Sequence, residues 1–269
     1  MTDLSKASHG GKVYGKVAIV TGAGSGIGRA AALLLAREGA CICLVDLKDE
    51  RTEQVYREIE AAGGEAIVAD TNVSDPARVG AAVKAAADRW GRVDIVFANA
   101  GINGTLAPIE SMEPEDWDET LNTNLKGTFL TVKYAVPYLK KQGGSVIITS
   151  SINGNRTFTG MGMSAYATSK AGQVAFMQMA ALELARYRIR VNAICPGSIE
   201  TNISENTHPT PELKEVKIRI EYPDGSQPLE HKSGEPEQVA ELVLFLASDA
   251  SSHITGTPIY IDGAESLLR

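Results

Sequence analysis

A tyrosine and a lysine four positions apart are the residues of this sequence best suited to chemistry, and they stand in the segment Tyr166-Ala-Thr-Ser-Lys170. In a helix, residues i and i+4 share one face, so the phenol and the ammonium would lie one turn apart. A nearby cation stabilises a phenolate and lowers a tyrosine pKa from about 10 toward the working range. Tyr166 could then act as a general acid or base. Exposed Tyr/Lys pairs are also common on helices, so the pair needs support from its surroundings.

A glycine-rich segment stands between a β-branched run, Val17–Thr21, and an Ala/Leu-rich run that begins at Ile27. Its spacing, Gly22-x-x-x-Gly26-x-Gly28, allows the backbone to approach a pyrophosphate, and the N-terminus of the next helix supplies N–H donors. Glycine-rich turns also occur without a ligand. The position between a strand and a helix favours a dinucleotide site.

An aspartate follows that glycine segment at the end of the next apolar run. Asp46 stands 18 residues after Gly28. A carboxylate here can accept hydrogen bonds from both ribose hydroxyls of NAD and would repel the 2′-phosphate of NADP. Ser25, beside the glycines, is not basic and does not offset that repulsion. The sequence therefore predicts NAD as the cofactor.

The elements that must position these residues alternate along the chain. Near-continuous apolar runs separated by amphipathic segments are typical of a doubly wound parallel sheet. We therefore expect an α/β fold, a single-domain Rossmann-like sheet of about seven strands with helices on both faces. The strands are predicted at 17–21, 41–46, 65–69, 93–98, 145–150, 189–195 and 257–261, and the helices at 27–38, 50–62, 76–90, 115–139 with a break near Asn124, 164–186 and 236–247.

Three segments define the expected domain organisation. Residues 1–15 are polar and Gly-rich and are predicted to be a flexible N-terminal tail, and residues 16–269 form the single domain. Residues 202–232, the lid segment, are a long insertion at the carboxyl end of a strand, with a weak helical pattern at 212–220. Such insertions are where α/β proteins place substrate lids.

Composition excludes several classes of function. With 26 Lys+Arg against 33 Asp+Glu among 269 residues, the net charge is −7 and no basic block occurs, which argues against nucleic acid and anionic membranes as partners. No apolar run reaches the roughly 18 residues of a membrane helix. Three cysteines, Cys41, Cys43 and Cys195, are too few and too apolar in setting for a disulfide scaffold, so a reducing cytoplasm is expected. No histidine stands at metal-ligand spacing, and no metal is predicted.

Taken together, the motifs resemble those of the short-chain dehydrogenase/reductase family over residues 16–262. Each is weak alone, and the set is specific because of its order and spacing. The matching pieces are Thr21-Gly22-x-x-x-Gly26-x-Gly28, Ala98-Asn99-Ala100-Gly101, Asn124 in Asn-Leu-Lys-Gly, Ser150-Ser151, Tyr166-x-x-x-Lys170, and Pro196-Gly197 followed by Thr201.

The resemblance implies four catalytic residues. Tyr166 would exchange a proton with the substrate hydroxyl, and Ser151 would orient the substrate oxygen. Lys170 would lower the pKa of Tyr166 and bind the nicotinamide ribose. Asn124 would hold a water that links Lys170 to solvent. The resemblance also implies a homotetramer, in which the helices carrying Asn124 and Tyr166 pack against their symmetry mates.

The resemblance further implies a set of cofactor-binding residues. Asn99, Ala100 and Gly101 would line the adenine-ribose side, Asn72 and Val73 would flank the adenine, and the residues after Pro196-Gly197 would contact the carboxamide. The full set is Gly22, Ser25, Gly26, Ile27, Gly28, Asp46, Asn72, Val73, Asn99, Ala100, Gly101, Tyr166, Lys170, Pro196, Gly197, Ile199 and Thr201.

Three departures from the family pattern occur. Asn72 stands where the family usually has Asp, and Asp70 two positions earlier is the alternative match. Ser151 precedes Tyr166 by 15 residues, longer than the commonest spacing, so residues 153–163 carry a small insertion and Ser150 is a second candidate for the serine. Ala264 replaces a glycine near the C-terminus.

The resulting hypothesis is an enzyme that transfers hydride between NAD and a small secondary alcohol or ketone. Polar residues in the lid segment, with Asn153, Asn155 and Arg156, favour a sugar or polyol. Ile102, Met161 and Met163 could equally line an apolar pocket for a small cyclic alcohol. Two alternatives remain: a 3-oxoacyl thioester reductase, whose relatives generally use the NADPH that Asp46 disfavours, and a non-catalytic NAD-binding regulator, which the intact catalytic set disfavours.

Overall fold

The computed structural model describes residues 10–47, 50–158, 160–216, 218 and 226–268. Helices and strands alternate as the sequence predicts. The strands are β1 (Val17–Thr21), β2 (Cys41–Asp46), β3 (Ala66–Asp70), β4 (Ile95–Ala98), β5 (Gly104–Leu106), β6 (Gly144–Thr149), β7 (Ile189–Pro196), β8 (Thr207–Pro209) and β9 (Pro258–Ile261). The helices are α1 (Gly26–Arg37), α2 (Glu50–Ala61), α3 (Pro76–Trp90), α4 (Pro114–Leu121), α5 (Gly127–Leu139), α6 (Ser164–Leu184), α7 (Leu213–Val216) and α8 (Pro236–Ala247).

Seven strands form one parallel sheet in the order β3-β2-β1-β4-β6-β7-β9. The strand order reverses between β1 and β4, so the connections leave these two strands in opposite directions and open a crevice at their carboxyl ends. The prediction of a doubly wound parallel α/β sheet with seven strands is confirmed.

Both faces of the sheet are buried, which explains the continuous apolar strands. In β1, Val17 and Ile19 pack with α3, α5 and α6 on one face. Ala18 and Val20 alternate with them and pack with α1, α2 and α8 on the other. Since side chains alternate along a strand, a strand covered on both faces needs apolar residues at every position.

The predicted helix over 115–139 is broken where expected. Asn122–Lys126 form a π-helical turn between α4 and α5, which confirms the predicted break near Asn124. Such one-turn widenings of a helix often mark functional sites. This turn carries Asn124, which is fully buried, toward the carboxyl end of β4.

The prediction of a flexible tail over 1–15 is wrong for residues 10–15. Val13 is fully buried and belongs to the core layer of α1 and α8. Its amide donates to the Glu38 carbonyl at 3.2 Å, and the Gly15 amide donates to the Gly39 carbonyl at 3.0 Å. One apolar side chain in a polar stretch anchors this segment. Residues 1–9 lie outside the described part of the chain.

The lid segment is described at 202–216, 218 and 226–232. Its first half forms β8, which pairs in parallel with β5 from the loop after β4. This second, two-stranded sheet was not predicted, because its strands have three residues each and contain Gly or Pro. The helical pattern at 212–220 appears as the single turn α7, and residues 217 and 219–220 lie outside the description. No helix among the described residues is long and apolar enough to cross a membrane.

Candidate active site

A cleft of about 580 Å³ runs along the carboxyl ends of the central strands, under the lid segment. It brings together nearly all the residues that the sequence predicts for the site. Those that line it are Gly22, Ser25, Gly26, Ile27, Asp46, Asn72, Val73, Asn99, Ala100, Gly101, Ser151, Tyr166, Lys170, Pro196, Gly197, Ile199 and Thr201. Gly28 and Asn124 are not among the lining residues.

The glycine loop is shaped by close approaches of backbone to backbone. Gly22 has φ +66°, and a Cβ there would lie 3.0 Å from the Ala100 Cα. Gly26 has φ +49°, which disfavours any side chain. A Cβ on Gly28 would collide with the Gly22 carbonyl oxygen. The absence of a side chain at Gly28 therefore allows α1 to pack closely against the loop, and its part in cofactor binding stays a prediction.

The N-terminus of α1 faces the cleft with donors that no side chain occupies. Ser25 precedes the helix without making a side-chain cap, and the first turn contains no acidic residue. Amide groups and the positive end of the helix dipole therefore point at this end of the cleft. Such an arrangement suits the pyrophosphate of a dinucleotide, so the residues present fit a nicotinamide cofactor.

Asp46 is held beside the glycine loop by two backbone amides. Its Oδ2 accepts from the Gly24 amide at 2.7 Å and its Oδ1 from the Leu47 amide at 2.8 Å. The carboxylate is fixed in the cleft at the end of β2, where a ribose would be recognised.

Asn72, and not Asp70, faces the cleft. The Asn72 Oδ1 accepts from the Ser74 amide at 3.0 Å and from its hydroxyl at 2.8 Å, which closes an Asx turn at the cleft wall. Asp70 is absent from the cleft lining and lies 3.7 Å from the Arg78 guanidinium. Of the two possible matches, Asn72 is therefore the one that lines the cleft, and its contact with the adenine stays a prediction.

Thr21 ties the loop after β4 to the end of β1. Its Oγ1 accepts from the Asn99 amide at 2.9 Å and the Ala100 amide at 3.0 Å. The Asn99 Oδ1 in turn accepts from the Thr149 hydroxyl at 2.9 Å. Three neighbouring strands are therefore joined at the middle of the cleft by buried or half-buried side chains.

Tyr166 and Lys170 lie one turn apart near the start of α6, and both are buried. Burial raises the pKa of Tyr166, and a hydrogen bond from the Ser151 side chain partly opposes that rise. Burial lowers the pKa of Lys170 to about 8. The Lys170 Nζ donates to the Thr149 carbonyl at 2.8 Å and lies 5.4 Å from the centroid of the Tyr166 ring. In the protein alone, burial therefore raises the pKa of Tyr166 more than the Ser151 hydrogen bond lowers it, and the lowering of this pKa by Lys170 stays a prediction.

The two serines at the end of β6 point in different directions. The Ser150 hydroxyl donates to the Lys170 carbonyl at 2.7 Å and accepts from the Asn155 Nδ2 at 3.0 Å. The Ser151 hydroxyl meets the Tyr166 phenol and accepts from the Asn153 amide at 3.0 Å. Ser150 is thus used to hold α6, and Ser151 is the serine beside the tyrosine.

Three polar side chains of the 153–163 insertion, those of Asn153, Asn155 and Arg156, make contacts outside the cleft. The Asn155 Nδ2 also donates to the Ser151 carbonyl at 2.8 Å, and the Asn153 Nδ2 lies 3.2 Å from the Met163 sulfur. The Arg156 guanidinium stacks 3.4 Å from the centroid of the Tyr260 ring. None of these three polar residues lines the cleft. These three residues therefore no longer support a sugar or polyol, and that inference now rests on the polar lid residues that line the cleft, Asn202, Glu205 and Asn206.

Asn124 connects the π-helical turn to the loop after β4 and to α6. Its Oδ1 accepts from the Ile102 amide at 2.8 Å, and its Nδ2 donates to the Ile102 carbonyl at 2.9 Å and to the Ser169 hydroxyl at 3.0 Å. A Cβ on Gly101 would lie 3.1 Å from the Asn124 Oδ1 and 3.5 Å from the Lys170 Nζ. Glycine at position 101 therefore keeps open the space between the amide and the ammonium.

Several residues that line the cleft were missed by sequence reasoning. They lie outside the recognisable motifs and meet only through the unpredicted β5–β8 pairing and the fold of the lid segment. The Asn103 Nδ2 donates to the Thr207 hydroxyl at 2.9 Å, and Arg51 forms an ion pair with Glu205 at 2.9 Å. The missed lining residues with polar side chains include Arg51, Asn103, Glu119, Thr123, Glu205 and Asn206.

The fold and this site define a dinucleotide-dependent oxidoreductase class, and comparison with known proteins shows the family. A family model described as "Enoyl-(Acyl carrier protein) reductase" matches residues 22–264. The chain belongs to the short-chain dehydrogenase/reductase family.

Relatives within the family differ in their substrates. The chain is 40% identical to the 3-oxoacyl-[acyl-carrier-protein] reductase of Thermotoga maritima, over 94% of this chain and 98% of that protein. It is 36% identical to the cyclohexanol dehydrogenase of an Acinetobacter strain, over 94% of this chain and 96% of that protein.

The solved structures that resemble this chain also come from enzymes with different substrates. A 3-ketoacyl-ACP reductase from Sinorhizobium meliloti is 50% identical with a TM-score of 0.90, covering 94% of this chain and all of that one. A carveol dehydrogenase from Mycobacterium avium in complex with NAD is 29% identical with a TM-score of 0.85, covering 96% of this chain and all of that one.

Proposed function

We propose that this chain is an NAD-dependent oxidoreductase that interconverts a small secondary alcohol and its ketone, with Tyr166 as the general acid/base. The observation that carries the proposal is the buried Ser151–Tyr166–Lys170 group, which opens onto the same cleft as Asp46 and the glycine loop. When bound, the nicotinamide supplies the hydride acceptor or donor.

The chain's own residues supply the proton chemistry. Ser151 orients the substrate oxygen through its hydroxyl, and Tyr166 takes the proton from an alcohol or returns it to a ketone. Because burial raises the pKa of Tyr166, the phenolate needs nearby positive charge. The Lys170 ammonium supplies that charge from one turn away. Asn124 keeps its predicted role of holding a water that links Lys170 to solvent.

The choice of NAD over NADP rests on Asp46. Its carboxylate is fixed by two backbone amides at the end of β2, so it cannot easily turn away from a 2′-phosphate. Arg51 lines the same cleft and is engaged by Glu205. The NAD complex of the carveol dehydrogenase relative supports the same assignment.

The substrate class that the cleft favours is a small cyclic or branched secondary alcohol. Ile102 and Ile203 line the cleft and offer apolar side chains beside the polar residues of the lid segment, whereas Asn153, Asn155 and Arg156 do not line it. Met161 and Met163, the other residues expected at an apolar pocket, do not line it either. The relatives that act on cyclohexanol and carveol support this class.

A 3-oxoacyl thioester is the second candidate substrate. It is favoured by the identities of 40% and 50% to two reductases of that type. The cofactor separates the two candidates, since Asp46 disfavours the phosphorylated cofactor expected of the thioester reductases. The third alternative, a non-catalytic NAD-binding regulator, is disfavoured because Asn124, Ser151, Tyr166 and Lys170 are all present and close together.

We also infer a cytoplasmic homotetramer. Large apolar side chains are exposed on α5 and α6, with Phe129 at 43%, Met179 at 67% and Leu182 at 76% exposure. Exposed apolar surface on two neighbouring helices suits packing against a second copy. Light scattering at low protein concentration tests this, and a monomer would refute it.

The experiment that tests the proposed function follows nicotinamide absorbance with cyclic alcohols and ketones, polyols and a 3-oxoacyl thioester, each with both cofactors. Turnover of a cyclic alcohol with NAD, absent in Tyr166→Phe, is expected. Asp46→Ala should then accept NADP. Turnover of the thioester with NADPH would favour the second candidate, and NAD binding without any turnover would favour the regulator.

A further inference from the structure

Gln173 is a fully buried polar residue on the face of α6 that carries the catalytic pair. It follows Tyr166 by two helical turns and Lys170 by one. Its Nε2 donates to the Asn124 carbonyl at 2.9 Å and to the Thr128 hydroxyl at 2.8 Å. The Thr128 hydroxyl itself donates to the same Asn124 carbonyl at 2.8 Å. Two side chains from different helices therefore hold the backbone of the π-helical turn.

The side-chain oxygen of Gln173 indicates why this position holds a glutamine and not an apolar residue. The Gln173 Oε1 is buried and has no hydrogen-bond partner among the residues that the structure describes. Turning the amide over would place an acceptor against the Asn124 carbonyl, so the orientation is fixed by the two donated bonds. A buried acceptor without a partner destabilises a protein, and an apolar side chain of similar size would avoid that cost. The donors must therefore do something that packing alone does not.

What the donors hold is the position of Asn124 relative to Lys170. The Asn124 Oδ1 and the Lys170 Nζ border the same space, 3.1 and 3.5 Å from the point where a Cβ on Gly101 would stand. The amide oxygen is the negative end of a dipole, and such a group near an ammonium favours its charged form. A Lys170 that stays protonated in turn stabilises a Tyr166 phenolate.

We propose that Gln173 is a positioning residue for the Tyr166–Lys170 pair, which it serves by holding the π-helical turn so that Asn124 stays beside the Lys170 ammonium. The proposal rests on the proposed function for its meaning in catalysis. Gln173 lies outside the cleft lining, so its effect on cofactor binding is small.

Gln173→Leu and Gln173→Met replace the amide with apolar groups of similar volume. Without the donated bonds, the π-helical turn relaxes and the Lys170 ammonium loses part of its stabilisation. The pKa of Tyr166 is then expected to rise by at least about half a unit, and turnover to fall on the order of tenfold, with the Kd for NAD within about twofold of wild type. Each variant loses two buried hydrogen bonds but also the unpaired acceptor, and because these effects oppose each other Tm should change only slightly.

The experiment measures tyrosinate absorbance against pH for each variant, with the same variant carrying Tyr166→Phe subtracted, so that Tyr166 is followed without a substrate. Met177→Leu, one turn further along α6 and fully buried, is the matched packing control and should leave the titration unchanged. A shifted titration with intact Tm supports the proposal. An unshifted titration in both variants overturns it, whatever happens to Tm, and reduces Gln173 to a packing residue.

The two proposals fail separately in this design. Wild-type protein that binds NAD but turns over none of the substrates refutes the proposed function, and the titration still decides the role of Gln173. Wild-type turnover with unchanged titration and unchanged kcat in both variants refutes the role of Gln173 alone.

Discussion

The floor of the cleft and the lid segment are held by different kinds of contact. The floor consists of Tyr166 and Lys170, which line the cleft, and of Asn124 behind them. On the floor, Asn124, Tyr166 and Lys170 are each less than a tenth exposed, and their partners come from several different elements. On the lid segment, the side-chain contacts with the rest of the cleft include the hydrogen bond from Asn103 to Thr207 and an ion pair between Arg51 and Glu205, whose side chains are 52% and 54% exposed.

This difference separates the part of the molecule that performs chemistry from the part that selects what enters. Buried, fully paired polar networks are rigid and sensitive to every member. Exposed ion pairs contribute little and can be exchanged at small cost. We therefore expect substitutions on the floor to remove the reaction, and substitutions in the lid segment to alter its substrate range or cofactor exchange.

The largest effect is expected from Lys170→Met. The variant loses the positive charge beside Tyr166 and the bond to the Thr149 carbonyl. Alcohol oxidation at pH 7 should fall by roughly 10²- to 10⁴-fold, the usual contribution of acid–base catalysis. Steady-state kinetics check this, and a loss of less than about fivefold in kcat would place Lys170 outside the proton chemistry.

The pH dependence of the reaction rate tests the roles of Tyr166 and Lys170 on the floor. Burial raises the pKa of Tyr166, so the phenolate fraction and the rate of alcohol oxidation should increase about tenfold per pH unit across the acid range. The pKa of Lys170 is lowered to about 8, so its supporting charge is present below that pH and is lost above it. Oxidation should therefore rise steeply up to about pH 8 and then flatten. Ketone reduction needs the protonated phenol and should not rise with pH.

A smaller effect, on stability, is expected from Thr21→Val. The substitution keeps the volume but removes the acceptor of two amides, those of Asn99 and Ala100. Leaving buried donors unpaired costs about 1–3 kcal/mol in free energy of unfolding. Denaturant titration measures it, with Thr105→Val, at a half-buried position of β5, as the control. Equal stabilities of the two variants would show that the strand ends are not joined as described.

The smallest effect is expected from Glu205→Gln in the lid segment. The ion pair with Arg51 is half exposed, so its loss should change the free energy of unfolding by less than about 1 kcal/mol. The Kd for NAD and kcat should change by no more than about fivefold, and the difference should vanish in high salt. A hundredfold loss of kcat in this variant would show that the lid segment takes part in the chemistry, which contradicts the division between floor and lid segment.

The sequence predicts the elements that local patterns define, and it does not predict the contacts between distant segments. The parallel sheet of seven strands and the break at Asn124 follow from apolar patterning and glycine spacing, which are local signals. The packing of Val13 and the β5–β8 pairing depend on contacts between distant segments, and three-residue strands carry no periodicity.

Within the site, side-chain direction was the unpredictable quantity. The sequence places Ser150 and Ser151 together but does not show which one a helix backbone uses. It also does not show that Asn153 and Asn155 contact nearby loop residues and that Arg156 stacks on Tyr260, away from the cleft lining. Gln173 escaped notice because a single glutamine in an apolar helix has no spacing pattern to identify it.

The measurement that tests the central claim most directly is a single-turnover reaction of wild-type protein and Tyr166→Phe with NAD and a cyclic secondary alcohol. The account predicts formation of reduced nicotinamide by the wild type, and a rate lower by about 10²- to 10⁴-fold in the variant with its affinity for NAD retained. Equal rates in the two proteins would contradict the assignment of Tyr166 as the acid/base.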